Sequence, residues 1–173
     1  AHPGRERQTE QALKLLPALV ENLEHKFGAS NMTHVQKGSV PAILQGADVL
    51  LRARTGTGKT LAYLVPIAQY LANRPERLTR DQGTHALIVV PTRELAMQVY
   101  REVSKFARVA GLSVVAVYGG ANLKQQIAEL KRGTESTCLC GFNRPSFFSP
   151  CRAASTPRLF AAALLKERRS SLA

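Results

Sequence analysis

Apolar residues recur along this chain with two different periods. In "TEQALKLLPALVENLEHKF", residues 9–27, Leu13, Leu16, Leu19, Val20 and Leu23 fall near helical spacing, which predicts a helix with Thr9 at its N-cap and a kink at Pro17. "MTHVQKGSVPAILQG" predicts a second helix, capped by Thr33 and ended by Gly46. "DVLLRA" reads as a short apolar strand, and "TLAYLVPIAQYLA" returns to the helical period. Beyond the polar connector "RPERLTRDQGT", the continuous run "HALIVVP" has the β-branched content of a strand buried on both faces of a parallel sheet. The helix "TRELAMQVYREVSKFARVA", the strand "LSVVAVYGG" and the helix "ANLKQQIAELKR" follow. This alternation implies a doubly wound α/β domain with right-handed crossovers and with ligands at the carboxyl ends of its strands.

The stretch "ARTGTGKT", residues 53–60, sits between a predicted strand and a predicted helix. Gly56 and Gly58 let the backbone curl and turn successive N–H groups inward, a nest for phosphate oxygens at the start of a helix. In that geometry Ala53, Arg54, Thr55, Gly56, Thr57 and Gly58 would form the cradle, Lys59 would reach the β- and γ-phosphates, and the Thr60 hydroxyl would ligate Mg²⁺. The spacing is that of G-x-x-x-x-G-K-[ST], with Ala53 in place of the first glycine. A flexible Gly/Thr turn capping a helix has the same composition, and the strand before and helix after favour the nucleotide.

Composition changes this picture only a little. A chain of 173 residues with 45% hydrophobic content is long enough for one domain with a core. Its net charge of +12 suits a polyanionic partner such as nucleic acid, and equally a basic soluble surface. No stretch approaches the roughly 18 apolar residues of a membrane span, and the polar N-terminus does not resemble a secretory signal, so an intracellular soluble protein is expected. Because the chain opens on Ala1, a fragment or a lost start is expected too. Cys138, Cys140 and Cys151 are too few and too unevenly spaced for a disulfide framework or a four-ligand zinc site, and read as free thiols.

"MTHVQ", "ARTGTGKT", "PTRELA" and "YGG" occur in one order and at a spacing that resembles the DEAD-box ATP-dependent RNA helicases. The resemblance covers about residues 27 to 133, the first half or so of that family's N-terminal RecA-like domain, and "VQK…P" with "GKTLAY" looks most like its ribosome-biogenesis members. It implies a partial RecA-like P-loop domain of the α/β class, with a parallel sheet and flanking helices. It also implies ATP and Mg²⁺ as cofactors, with Lys59 and Thr60 in catalytic roles. The glutamine matching Gln36 reads adenine through both faces of its amide, and the threonine matching Thr33 supports it. Judged alone, Gln36 reads more readily as a solvated helix residue. Pro91, Thr92 and Arg93 of "PTRELA" would contact an RNA backbone at the end of a strand, with Glu94 supporting the loop and Leu95 and Ala96 facing the core. Gly119 and Gly120 match a second backbone contact, and on their own also suit an ordinary strand-ending turn. Met32 stands where the family has proline. The family's stacking aromatic falls on Leu19, with Phe27 as a substitute.

After "LKRG" the family continues with an apolar strand ending in Thr-Pro-Gly-Arg, then the Asp-Glu-Ala-Asp box, a Ser-Ala-Thr motif and a second RecA-like domain. Here no Asp is followed by Glu anywhere, and residues 134–173 collect all three cysteines and four of the six phenylalanines. The expected organisation is therefore an N-terminal helical extension over 1–26, a partial ATP-binding domain over 27–133 and an irregular basic tail over 134–173. That tail reads either as an RNA- or membrane-surface contact, with a basic amphipathic helix over Arg158 to Ser170, or as an unselected end produced by a frame change, alternative splicing or a mis-predicted gene end. Without the carboxylates and the second domain, nucleotide binding is expected to survive and turnover to be lost. "DVLLRA" is expected to lack neighbours and to leave apolar surface exposed. The resemblance places the protein in the nucleus or nucleolus, with the cytoplasm as an alternative. A non-catalytic ATP- or RNA-binding fragment is the competing function, and a nucleotide kinase or small GTPase leaves "MTHVQ" and "PTRELA" unaccounted for.

Overall fold

The computed structural model describes residues 13–29, 31–73, 85–110, 113–131, 137–141 and 159–162. In chain order these form α1 (Pro17–Phe27), α2 (His34–Leu44), α3 (Lys59–Ala72), β1 (Ala86–Val90), α4 (Arg93–Ala110), β2 (Val114–Tyr118), α5 (Leu123–Lys131), β3 (Thr137–Gly141) and β4 (Leu159–Ala162). They group into two compact units. The first lies within residues 1–79 and 101–113, the second within 80–100 and 114–173.

In the first unit, α1 starts at Pro17 rather than bending there. Proline has no N–H to contribute to a helix interior and pushes the residue before it into extended backbone, and Leu16 has ψ 134°. The predicted cap Thr9 lies outside the described residues. Gly28, at φ 59°, ends the helix, with its N–H donating to the Glu24 carbonyl and that of Ala29 to Leu23. α2 continues through Gly38 and Pro41, as the apolar spacing of the segment requires.

Leu19, Leu23, Val40, Leu64, Val65, Leu71, Val103 and Phe106 form the core of this unit, each burial worth about 1.5–3 kcal/mol. Two amides anchor α1 and the residues before it. Gln69 accepts from the Leu16 N–H at 2.9 Å and donates to the Lys14 carbonyl at 3.1 Å, so one buried side chain satisfies two backbone groups of the entering chain. Asn22 donates through Nδ2 to the Lys105 carbonyl. Beside it, the Phe27 ring stacks on Phe106 at 4.7 Å and lies 4.6 Å from the Lys105 ammonium.

"DVLLRA" does not form the strand that its apolar run predicts. A strand exists only through pairing, and no described strand pairs with residues 48–53. Its apolar side chains consequently meet solvent: Leu50 is 101% exposed and Val49 39%.

The second unit is a four-stranded parallel sheet in the order β2-β3-β1-β4. Ala86, Ile88 and Val90 are buried on alternate positions of β1, and Ala96 and Val99 of α4 and Val115 of β2 join them. Two of the strands come from the segment expected to be an irregular tail. "TCLCG" inserts as β3 between β1 and β2, and "LFAA" pairs as β4 on the other side of β1. A central parallel strand must satisfy hydrogen bonds along both edges, and these two short apolar segments supply them to β1. Among the described residues no helix is long and apolar enough to cross a membrane.

Because Leu50 is fully exposed, Leu50→Ser is expected to leave stability within about 0.5 kcal/mol of the parent while reducing self-association. Thermal unfolding and light scattering of the two proteins side by side check this.

Candidate functional site

The glycine loop, residues 53–60, is held from α2. Thr33 caps that helix in a box: the Gln36 N–H donates to the Thr33 hydroxyl, and the Thr33 N–H donates to Gln36 Oε1 at 2.9 Å. Both side chains have capacity left, and both spend it on the loop. The Thr33 hydroxyl donates to the Thr57 carbonyl at 2.9 Å, and Gln36 Nε2 donates to the Gly58 carbonyl at 3.1 Å. Gln36 is buried at 5% exposure, so it is not the solvated helix residue its polarity alone allows. After these bonds its amide retains one N–H and one lone pair.

Within the loop, Gly56 and Gly58 take φ of 77° and 80°, left-handed values that side chains resist. At Gly58 the constraint is doubled, because a Cβ there would stand 2.5 Å from Gln36 Nε2. Thr57 closes the curl by donating to the Arg54 carbonyl at 2.8 Å. The Lys59 ammonium donates to the carbonyls of both Ala53 and Arg54 at 2.8 Å, keeping a third proton for another acceptor. Thr55 is exposed, and α3 starts directly behind the loop with Gly58 as its N-cap. Left-handed glycines, a lysine folded across the loop and a helix N-terminus together make an anion-binding concavity.

Thr60 lies in the first turn of α3, one turn from Tyr63. Burial pushes the Tyr63 phenol up to about 12, and the Thr60 hydroxyl beside it opposes that shift without reaching hydrogen-bonding geometry. Tyr63 is thus neutral near pH 7 and places no charge beside Thr60. Among the described residues no three His, Cys, Asp or Glu side chains come together as a metal cluster. Neither residue considered for base stacking presents a free ring: Leu19 is a core residue and Phe27 is committed to Phe106.

The second unit gathers the other predicted residues on one sheet edge. Val90 and Tyr118 are both in register with Gly141 of the strand between them, so the segments following β1 and β2 leave the same edge about 10 Å apart. Pro91, Thr92, Arg93, Gly119 and Gly120 lie there, all exposed. Thr92 also caps α4, its hydroxyl accepting from the Leu95 N–H at 3.2 Å. The Arg93 guanidinium stands 5.2 Å from the centre of the Tyr118 ring. Gly120 has φ 81°, and a Cβ on it would come within 3.2 Å of Arg93 Nη1. Ala96 faces the core as expected, while Leu95 is half-buried.

Sequence reading missed Gln126. It is buried on α5, and its amide accepts from the Tyr118 N–H at 3.0 Å and donates to the Tyr118 carbonyl at 3.1 Å. The available signal was Asn122, a helix cap four residues earlier, which fixes where the first turn of α5 points.

Comparison with known proteins bears on both groups of residues. The DEAD/DEAH box helicase family profile matches residues 33–143, from the Thr33 cap through β3. The chain is 46% identical over 116 residues to the ATP-dependent RNA helicase ddx46 of Dictyostelium discoideum, covering 67% of this chain and 10% of that protein. It is 44% identical over 110 residues to the probable ATP-dependent RNA helicase DDX46 of Homo sapiens, covering 64% and 11%. To the pre-mRNA-processing ATP-dependent RNA helicase prp5 of Neosartorya fischeri it is 45% identical over 112 residues, covering 64% and 9%. The chain thus spans about a tenth of the length of these relatives. Among solved structures, a hypothetical ATP-dependent RNA helicase from Sulfolobus tokodaii matches with a TM-score of 0.59 at 32% identity, covering 73% of this chain and 34% of that one.

Gly58→Ala meets both the left-handed backbone and the Gln36 amide. It is expected to displace Gln36 and weaken binding of polyphosphate ligands about tenfold or more, whereas Gly38→Ala, in open space on α2, leaves that binding unchanged. Calorimetric titration of both variants with inorganic tripolyphosphate checks this.

Proposed function

This chain belongs to the DEAD/DEAH box helicase family, and from that premise we propose that its first unit binds Mg·ATP and its second contacts an RNA backbone. The observation that carries the proposal is the clasp by which Thr33 and Gln36 hold the Thr57 and Gly58 carbonyls. It joins an amide with unused donor and acceptor capacity to a loop shaped for phosphates. The spare N–H and lone pair of Gln36 suit adenine N7 and N6, which selects ATP over nucleotides with a different base edge. Ala53, Arg54, Thr55, Gly56, Thr57 and Gly58 enclose the phosphates, Lys59 meets the β- and γ-phosphates, and Thr60 supplies the protein oxygen for Mg²⁺. When bound, Mg²⁺ would neutralise charge on the triphosphate, which the chain's own residues bind and orient.

On the sheet edge, Arg93 offers a charge-assisted bond to an RNA phosphate, with Pro91 and Thr92 shaping its approach and Gly119 and Gly120 leaving room for the strand. Such recognition is independent of sequence and weakens with salt. The relatives named for pre-mRNA processing make pre-mRNA the RNA class and the nucleus the compartment of this proposal, in place of ribosome biogenesis.

One observation favours a second reading for the chain as it stands. No aspartate is followed by glutamate in its 173 residues, so the carboxylates that orient the attacking water in this chemistry are not supplied by this sequence. The chain then binds ATP and RNA without turning ATP over. Titration with Mg·ATP, repeated with Lys59→Ala, and phosphate release with and without RNA test both readings. The expected result is saturable binding that Lys59→Ala weakens about tenfold or more, with no phosphate release. Absence of binding by folded protein contradicts the nucleotide proposal; RNA-stimulated release abolished by Lys59→Ala contradicts the non-catalytic one.

A further inference from the structure

Among the described residues β2 is an edge strand of the sheet, with a described neighbouring strand on one side of its backbone only. In a parallel ladder the N–H and C=O of one residue point the same way, and those of Tyr118 are both taken by the Gln126 amide. Gln126 therefore bonds this side of β2 as a neighbouring strand would, at the last position before Gly119 and Gly120. Its own place is set by the Asn122 cap and by its N–H bond to the Asn122 carbonyl at 3.1 Å. The residue it holds matters, because the Tyr118 ring is the surface under the Arg93 guanidinium, which stands beside Gly120.

We infer that Gln126 is a positioning residue for the RNA-backbone contact: by gripping the Tyr118 backbone it fixes the ring that carries the Arg93 guanidinium beside Gly120. This rests on the RNA reading of that edge. A buried amide is a costly way to fill the space, since an apolar side chain would pack as well, but only a group that both accepts and donates can hold Tyr118 at both backbone atoms. Arg93 is exposed and has a long side chain, so a fixed ring beneath it removes part of the conformational freedom it would otherwise lose on meeting a phosphate.

Gln126→Glu provides the test. A carboxylate at this place accepts from the Tyr118 N–H but opposes the Tyr118 carbonyl, whereas a protonated carboxyl restores both bonds. Burial and the facing carbonyl raise the glutamate above its ordinary value of about 4.3, so its grip returns as the pH falls toward about 5. Binding of a labelled oligouridylate to the full chain is measured by fluorescence anisotropy at about pH 8 and about pH 5, as a ratio to the unsubstituted protein at each pH. Gln126→Glu is expected to bind about tenfold more weakly at the higher pH and to recover at the lower, while Gln126→Met stays weak at both. Circular dichroism and melting curves establish that each variant is folded. A deficit that does not close on acidification, or Gln126→Glu affinity equal to the parent at both values, overturns the inference. Arg93→Ala separates it from the underlying reading. If Arg93→Ala weakens binding and Gln126→Glu does not, the inference alone fails; if Arg93→Ala binds as the parent does, the RNA reading fails and carries the inference with it.

Discussion

Two backbone carbonyls of the glycine loop, those of Thr57 and Gly58, are held by side chains from the first turn of α2. Much of the first unit's chemistry depends on this clasp. Thr33 and Gln36 each perform a local task, closing the capping box that starts their helix, and a distant one more than twenty residues along the chain. Because the same amide serves both, the helix start and the loop cannot shift independently. Gly58 shows how closely the parts are fitted, since a Cβ there would have to displace the Gln36 amide. A lysine bonded to two loop carbonyls then closes the curl from the other side.

The second unit repeats the device with different residues. An amide, Gln126, satisfies both backbone groups at the end of an edge strand, and an arginine rests against the ring so held. Gln69 does the same for the chain entering α1. In all three places a buried glutamine side chain stands in for a peptide unit, which keeps backbone groups at secondary-structure ends and in loops hydrogen-bonded.

Local signals explain why much of this was legible in the sequence. Thr33 three residues before Gln36 is a capping box on its face, glycines at 56 and 58 announce left-handed backbone, and "HALIVVP" can be little other than a buried strand. Where reading failed, the deciding partner lay elsewhere in the chain. "DVLLRA" has the composition of a strand, but composition does not supply a neighbour to pair with. "TCLCG" and "LFAA" look unpromising alone and become strands because β1 has two edges to satisfy. Pro17 was legible as a helix perturbation; only the start of α1 shows that it opens the helix instead of bending it. The paired bonds of Gln126 and Gln69 join residues by geometry that no single-sequence pattern encodes.

The proposed function gives Gln36 two separable duties, reading the base and shaping the loop, and one comparison divides them. Calorimetry of Gln36→Leu with Mg·ATP and with Mg·tripolyphosphate, which carries no base, measures each. If the clasp shapes the loop, both ligands bind more weakly, ATP by the larger factor. Undiminished binding of tripolyphosphate alongside weakened ATP would show that the loop keeps its form without Gln36, and the clasp would lose its structural meaning.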